Sequence, residues 1–150
     1  MRVREATVHI SEVLKSKGDS VVTVSPETTV RDLVAMLAEH NIGAVVVSTP
    51  DEPLVGIVSE RDIVRGLVGG TGVLDATISD IMTSQVRTAE PTATVEDLMR
   101  LMTDHRVRHI PVVSGGRLQG IVSIGDVVKS RIRELEFERD QLESYVSNAQ

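Results

Sequence analysis

One nine-residue stretch occurs twice in this chain. Gly56-Ile57-Val58-Ser59-Glu60-Arg61-Asp62-Ile63-Val64 returns as Gly120-Ile121-Val122-Ser123-Ile124-Gly125-Asp126-Val127-Val128. The residues ahead of each copy repeat in the same order. Pro91, Thr94, Val95, Asp97 and Leu98 stand 65 positions after Pro26, Thr29, Val30, Asp32 and Leu33, and His105 follows His40 at the same offset. A period this long, present in two copies, marks a duplicated unit and not a solenoid. Neither copy is large enough to bury a full core comfortably, so the two are expected to pack face to face.

Each unit reads β–α–β–β–α. In the first, residues 21–24 are β-branched and strand-like. Val30, Leu33, Val34, Leu37 and Ala38 recur at helical spacing. Residues 44–47 form a short, wholly apolar strand of the buried kind. Residues 54–58 make the next strand, and a helix starts near Glu60 and ends before Gly69. In the second unit residues 86–88 echo the first strand, and the loop Ser114-Gly115-Gly116-Arg117 is one residue shorter than its counterpart. Ile78-Ser79-Asp80-Ile81-Met82 echoes the lead-in Ile10-Ser11-Glu12-Val13-Leu14. The repeats divide the chain into residues 1–75 and 76–150. The glycine-rich stretch from Gly66 to Gly72 is expected to be a flexible connection between them. The fold class is α+β.

Composition excludes several function classes. Phe137 and Tyr145 are the only aromatics, so the core must be aliphatic. The net charge is −6, against the basic footprint of a general nucleic-acid binder. There is no Cys, which removes disulfides, thiol catalysis and Cys–zinc sites. Residues 1–5 carry no apolar signal core, and no apolar run approaches a membrane span, so a cytoplasmic protein is expected. No two histidines fall at metal-ligand spacing on one helix face. No phosphate-binding Gly-x-x-x-x-Gly-Lys loop and no Gly-x-Ser-x-Gly elbow appears.

The repeated motif has two readings. Ser followed three positions later by Asp, ahead of an apolar run, caps a helix. The same arrangement gathers a hydroxyl, a carboxylate and free backbone N–H groups, which suits a phosphate or ribose.

The doubled unit resembles the cystathionine-β-synthase (CBS) domain pair, often called a Bateman module, over residues 10–132. The resemblance rests on Val21-Val22-Thr23-Val24-Ser25-Pro26, on Ile110-Pro111-Val112-Val113, on Ser79-Asp80-Ile81-Met82-Thr83, and on Gly-Ile-Val-Ser-x-x-Asp twice. Val46 stands where the second repeat has Pro111, a departure that bears on the shape of one cleft. The resemblance implies a regulatory, non-catalytic module binding an adenosyl compound such as AMP, ADP, ATP, NAD(H) or S-adenosylmethionine between the repeats. It implies that the motif Asp holds the ribose hydroxyls while neighbouring hydroxyl and basic residues hold phosphate. One cleft would then join Ser59, Arg61 and Asp62 to Thr88, Arg108, His109, Ile110 and Pro111. The other would join Ser123 and Asp126 to Thr23, Gly43, Ala44 and Val45.

The two clefts differ in charge. Arg61, Arg108 and His109 gather in the first and could fork onto phosphate oxygens. At the matching positions the second has Gly125, Gly43 and Ala44, with no cation expected. The first is therefore the expected nucleotide site, leaving the second without ligand or with an uncharged adenosyl group. His40 and His105 each close a helix, where a structural role is favoured.

From Asp126 to about Val146 no Pro or Gly interrupts a helical pattern, and Val128, Leu135 and Leu142 recur at sevens beside Ile132 and Val146. Such a helix lies along its own domain or packs on a partner chain, and a homodimer is expected. Two functions follow: a nucleotide sensor read by a downstream protein, or a dimeric scaffold whose clefts bind nothing.

Overall fold

The computed structural model describes residues 7–18 and 21–148, so residues 1–5 and Asp19 of the lead-in lie outside it. The elements are α1 (Ile10–Lys17), β1 (Thr23–Val24), α2 (Val30–His40), β2 (Ala44–Val47), β3 (Gly56–Ser59), α3 (Glu60–Leu67), α4 (Val95–His105), β4 (His109–Ser114), β5 (Arg117–Ser123) and α5 (Ile124–Asn148). Short 3-10 turns at Thr71–Asp75 and Ile78–Asp80 lie between the repeats.

The α+β architecture expected from the repeat is present. In the first unit β1 pairs parallel to β2, and β2 pairs antiparallel to β3. In the second, β4 and β5 pair antiparallel. The strand expected at residues 86–88 is absent; a single parallel bridge, Ala89 to Val112, takes its place. Even β1 spans two residues, because only its end reaches the edge of β2.

Helix α2 forms where the apolar period requires, with Thr29 accepting from the Asp32 N–H at its start. Val30, Leu33 and Leu37 are buried; Val34 and Ala38, expected on the same face, are exposed. Helix α4 repeats the design with Thr94 and Asp97 exchanging hydrogen bonds. Its Asp97 carboxyl is held below the usual range by the Thr94 backbone N–H and then by the Thr94 side chain.

Matched backbone hydrogen bonds express the pseudo-twofold relation. Ile10 N–H donates to the Ala93 carbonyl and Ile78 N–H to the Thr28 carbonyl, both at 2.8 Å. Val95 N–H donates to Val8 and Val30 N–H to Ala76. Each pair ties a lead-in to the opposite repeat. Ile10 and Val13 accordingly sit in the core with Val95, Leu98, Ile110, Val112 and Val122. Ile78 sits in the core with Val30, Leu33, Val45, Val47 and Val58. Across the boundary expected at residue 75, the packing units exchange their lead-ins.

The Gly66–Gly72 stretch differs from the flexible connection expected. Gly66 belongs to α3, and a Cβ there would lie 2.6 Å from Val73 Cγ2. Glycine at that position lets the 3-10 turn pack directly on the helix.

Candidate functional site

The first copy of the motif is a strand-to-helix turn. Burial alternates along β3, with Gly56 and Val58 inward, so Ser59 emerges at the sheet's end in an extended conformation. Asp62 then lies one turn into α3. Its Oδ2 accepts the Ser59 N–H at 2.8 Å and the Ser59 hydroxyl at 3.2 Å. The capping role is therefore real. Among the described residues no donor engages Oδ1, so one carboxylate oxygen remains to receive a ligand hydroxyl.

This turn opens onto a cleft of about 810 Å³, within the range of small-molecule sites. Ser59, Arg61, Asp62, Arg108 and His109 all line it. Thr88 is exposed and is not on its wall, and Ile110 and Pro111 are buried in β4 behind it. The Pro111 carbonyl is already taken by the Ala89 N–H at 3.0 Å.

The cleft is more basic than the sequence suggests. Arg65, Arg87 and Arg106 join Arg61 and Arg108 on its wall, five basic residues against the two acidic ones, Glu60 and Asp62. His105, expected to be structural, lines it too, as do Thr83 and Gln85. Arg65 was legible one helical turn after Arg61. Arg87 and Arg106 were not, because only the packing of one repeat against the other brings residues 85–87 and 105–109 to the end of β3.

Arg106 carries a conformational signal as well. It follows the end of α4 in the left-handed region, at φ 52° and ψ 42°. Asn41, its counterpart after α2, adopts φ 52° and ψ 49°. Asn tolerates that region; Arg is strained there.

His109 lies at the junction of the repeats. A Cβ at Gly43 would stand 3.4 Å from its ring and 3.2 Å from Glu60 Oε1. Gly43, assigned from sequence to the second cleft, thus packs against residues of the first. Its carbonyl accepts the Glu60 N–H at 2.9 Å, as the Arg108 carbonyl accepts the Ile124 N–H at 2.8 Å. Burial lowers the His109 pKa, with Glu60 opposing, so its neutral form is favoured.

The second copy is organised differently. Asp126 Oδ2 accepts the Ser123 N–H at 2.9 Å and the Ser123 hydroxyl at 3.0 Å, matching the first copy. Lys17 Nζ then sits 2.7 Å from the same oxygen. This corrects the expectation of no cation here. Lys17 comes from α1, whose packing onto the second repeat is invisible in the local sequence. Burial pushes the Asp126 carboxyl up, but Lys17 and Ser123 outweigh it and hold the pKa below the usual value. Thr23 is exposed in β1, and Ala44 and Val45 are buried in β2.

Among the described residues no group of three or more His, Asp or Glu side chains could hold a metal ion. No described helix is long and apolar enough to cross a membrane.

Comparison with known proteins agrees with this architecture. A family model for the CBS domain matches residues 10–69 and 78–133. A mitochondrial CBS domain-containing protein of Arabidopsis thaliana is 40% identical over 146 residues, which is 91% of this chain and 71% of that protein. The crystal structure of a CBS-domain containing protein from Agrobacterium tumefaciens matches with a TM-score of 0.80 at 42% identity, over 83% of this chain and 99% of that one. A CBS domain pair solved in complex with 5′-methylthioadenosine and S-adenosyl-L-methionine matches with a TM-score of 0.73 at 25% identity, over 82% of this chain and 94% of that one. Both repeats match the same domain, and their Ser-x-x-Asp turns follow matching strands, so this chain belongs to the CBS domain family.

Proposed function

We propose that this chain is a non-catalytic regulatory module that binds an adenine nucleotide, such as AMP, ADP, ATP or NAD(H), in the cleft beside Asp62. The observation that carries this is a cleft lined by five arginines and by Asp62 with one carboxylate oxygen unengaged among the described residues, in a chain whose net charge is −6. Asp62 Oδ1 takes the ribose hydroxyls, and the guanidiniums take phosphate. The positive end of α3 adds to the attraction. A related CBS pair was solved with two adenosyl compounds, which supports the ligand class. Charge then selects within that class. A sulfonium such as that of S-adenosylmethionine meets like charge here, whereas each phosphate meets opposite charge.

The module acts as a homodimer through α5. The side of α5 turned toward its own domain carries buried Glu134, paired with Arg131 at 2.7 Å, and half-buried Gln141. Ile124, Val128, Ile132, Leu135, Leu142 and Val146 are all exposed, each by 44–55%. Val127 of α5 is buried in the second core, and a half-exposed apolar face left outside that core asks for a second copy. Nucleotide binding then shifts the module or its dimer, and a downstream protein reads the shift.

Calorimetric titration with AMP and adenosine tests the site. Asp62→Asn keeps an acceptor for the Ser59 cap and should weaken both ligands about tenfold or more. Arg61→Ala should spare adenosine and weaken AMP. Absence of binding and of any thermal shift with these ligands would establish the scaffold instead; a ligand at 100 times its Kd stabilises by about 2.7 kcal/mol.

A further inference from the structure

The lead-ins are the part of the repeat that does not repeat faithfully. Ile10-Ser11-Glu12-Val13-Leu14-Lys15-Ser16-Lys17 aligns with Ile78-Ser79-Asp80-Ile81-Met82-Thr83-Ser84-Gln85. Lys17 therefore corresponds to Gln85, which lines the first cleft. The second lead-in makes a 3-10 turn and then runs extended, so Thr83 and Ile57 exchange both backbone hydrogen bonds, at 2.9 and 3.0 Å. The first lead-in stays helical to Lys17. Its backbone does not supply the matching donor to Ile121. The Lys17 ammonium does so instead, at 2.7 Å from the Ile121 carbonyl, while also touching Asp126 Oδ2 at 2.7 Å.

The ammonium is held in place from both ends. Helix α1 is anchored by Ile10, which is fully buried, and by the Ile10 and Ser11 N–H bonds to Ala93 and Pro91. The Asp126 side chain is 22% exposed, so the pair is only partly screened by water. Among the described residues Asp126 Oδ1, like Asp62 Oδ1, accepts no hydrogen bond, but here the ammonium already neutralises the carboxylate from beside the turn, so a ribose would compete with Lys17 for a weakened acceptor.

We propose that Lys17 is a specificity-determining residue: by neutralising Asp126 and bonding the Ile121 carbonyl beside it, it confines nucleotide binding to the first cleft. This rests on the first cleft being the nucleotide site, as proposed above. The duplicated motif is thus used once for ligand and once for an internal ion pair that joins the lead-in to the second repeat.

Adenosine titrations decide it. The unaltered chain should bind one adenosine per chain, and Lys17→Gln, which installs the residue of the first cleft, should bind two. In the Asp62→Asn background, adding Lys17→Gln should restore adenosine binding at least tenfold. Lys17→Arg retains the ion pair and should restore nothing. Lys17→Met provides a second route should the Gln variant fail to fold, as judged by circular dichroism. Two adenosines per unaltered chain, or no gain from either Lys17→Gln or Lys17→Met, would overturn the role of Lys17. Unchanged adenosine affinity in Asp62→Asn alone would instead overturn the assignment of the first cleft.

Discussion

Replacing Arg106 by Asn should make the protein more stable and a poorer binder of phosphate. Arg106 holds φ 52°, where an ordinary side chain costs about 1–2 kcal/mol. The turn itself does not need arginine. Val107 N–H donates to the Met102 carbonyl at 3.1 Å, and Ile42 N–H donates to the Leu37 carbonyl at 3.1 Å in the repeat that uses Asn41. Asn should recover roughly half the strain, about 0.5–1 kcal/mol, because its short polar side chain tolerates this region. For a chain of this size that is a rise in Tm of about 1–4 °C. The same substitution removes one of the five guanidiniums from the cleft. Loss of one charge-assisted hydrogen bond should weaken AMP about tenfold or more and leave adenosine unchanged. Thermal denaturation without ligand reads the first effect, and calorimetry with AMP and adenosine reads the second. Arg106→Lys should keep the strain and lose only the forked donor. A fall in Tm for Arg106→Asn would refute the strain argument. AMP affinity equal to that of the unaltered chain would show that Arg106 faces the cleft without touching phosphate.

Three further outcomes follow from the geometry. The His109 pKa is lowered by burial, so the unfolded chain binds the extra proton first; stability should be full above about pH 6.5 and fall as pH drops toward the lower folded value. Melting from pH 8 to 5.5 should show this, and His109→Gln should flatten the curve. Light scattering should give a dimer mass for the unaltered chain, as proposed, and a folded monomer for Val128→Asp with Leu135→Asp, since both residues are exposed on α5; a monomeric unaltered chain would refute the dimer, and an unchanged dimer mass would place the interface elsewhere. Gly56→Ala should destabilise by about 1–3 kcal/mol, because its Cβ would lie 2.7 Å from the Thr83 carbonyl oxygen, a backbone atom that cannot swing aside. Chemical denaturation with no change in midpoint would contradict that contact.

What the sequence determined by itself was whatever repeats or recurs locally. The recurring order of motifs, the apolar periods of α2 and α4 and the two Ser-x-x-Asp turns specified the duplicated α+β unit, because periodicity and capping act within a few residues. The expectation that Arg61, Asp62, Arg108 and His109 share one cleft came from the resemblance to the CBS pair, applied to the repeated turn and the strand end beside it. Only the tertiary structure decided what reaches those turns from far along the chain. The exchange of lead-ins buries Ile10 in the second core and Ile78 in the first, and hydrophobic patterning has no term for which repeat a lead-in will choose. That choice carries Lys17 to Asp126, 109 residues away, and so gives two like motifs unlike surroundings. Arg87, His105 and Arg106 enter the first cleft by the same packing of one repeat on the other. The orientation of α5 is likewise a tertiary decision. Its period announced an apolar face, but the rotation of the helix about its own axis, set by contacts with α4 and β5, turned that face outward.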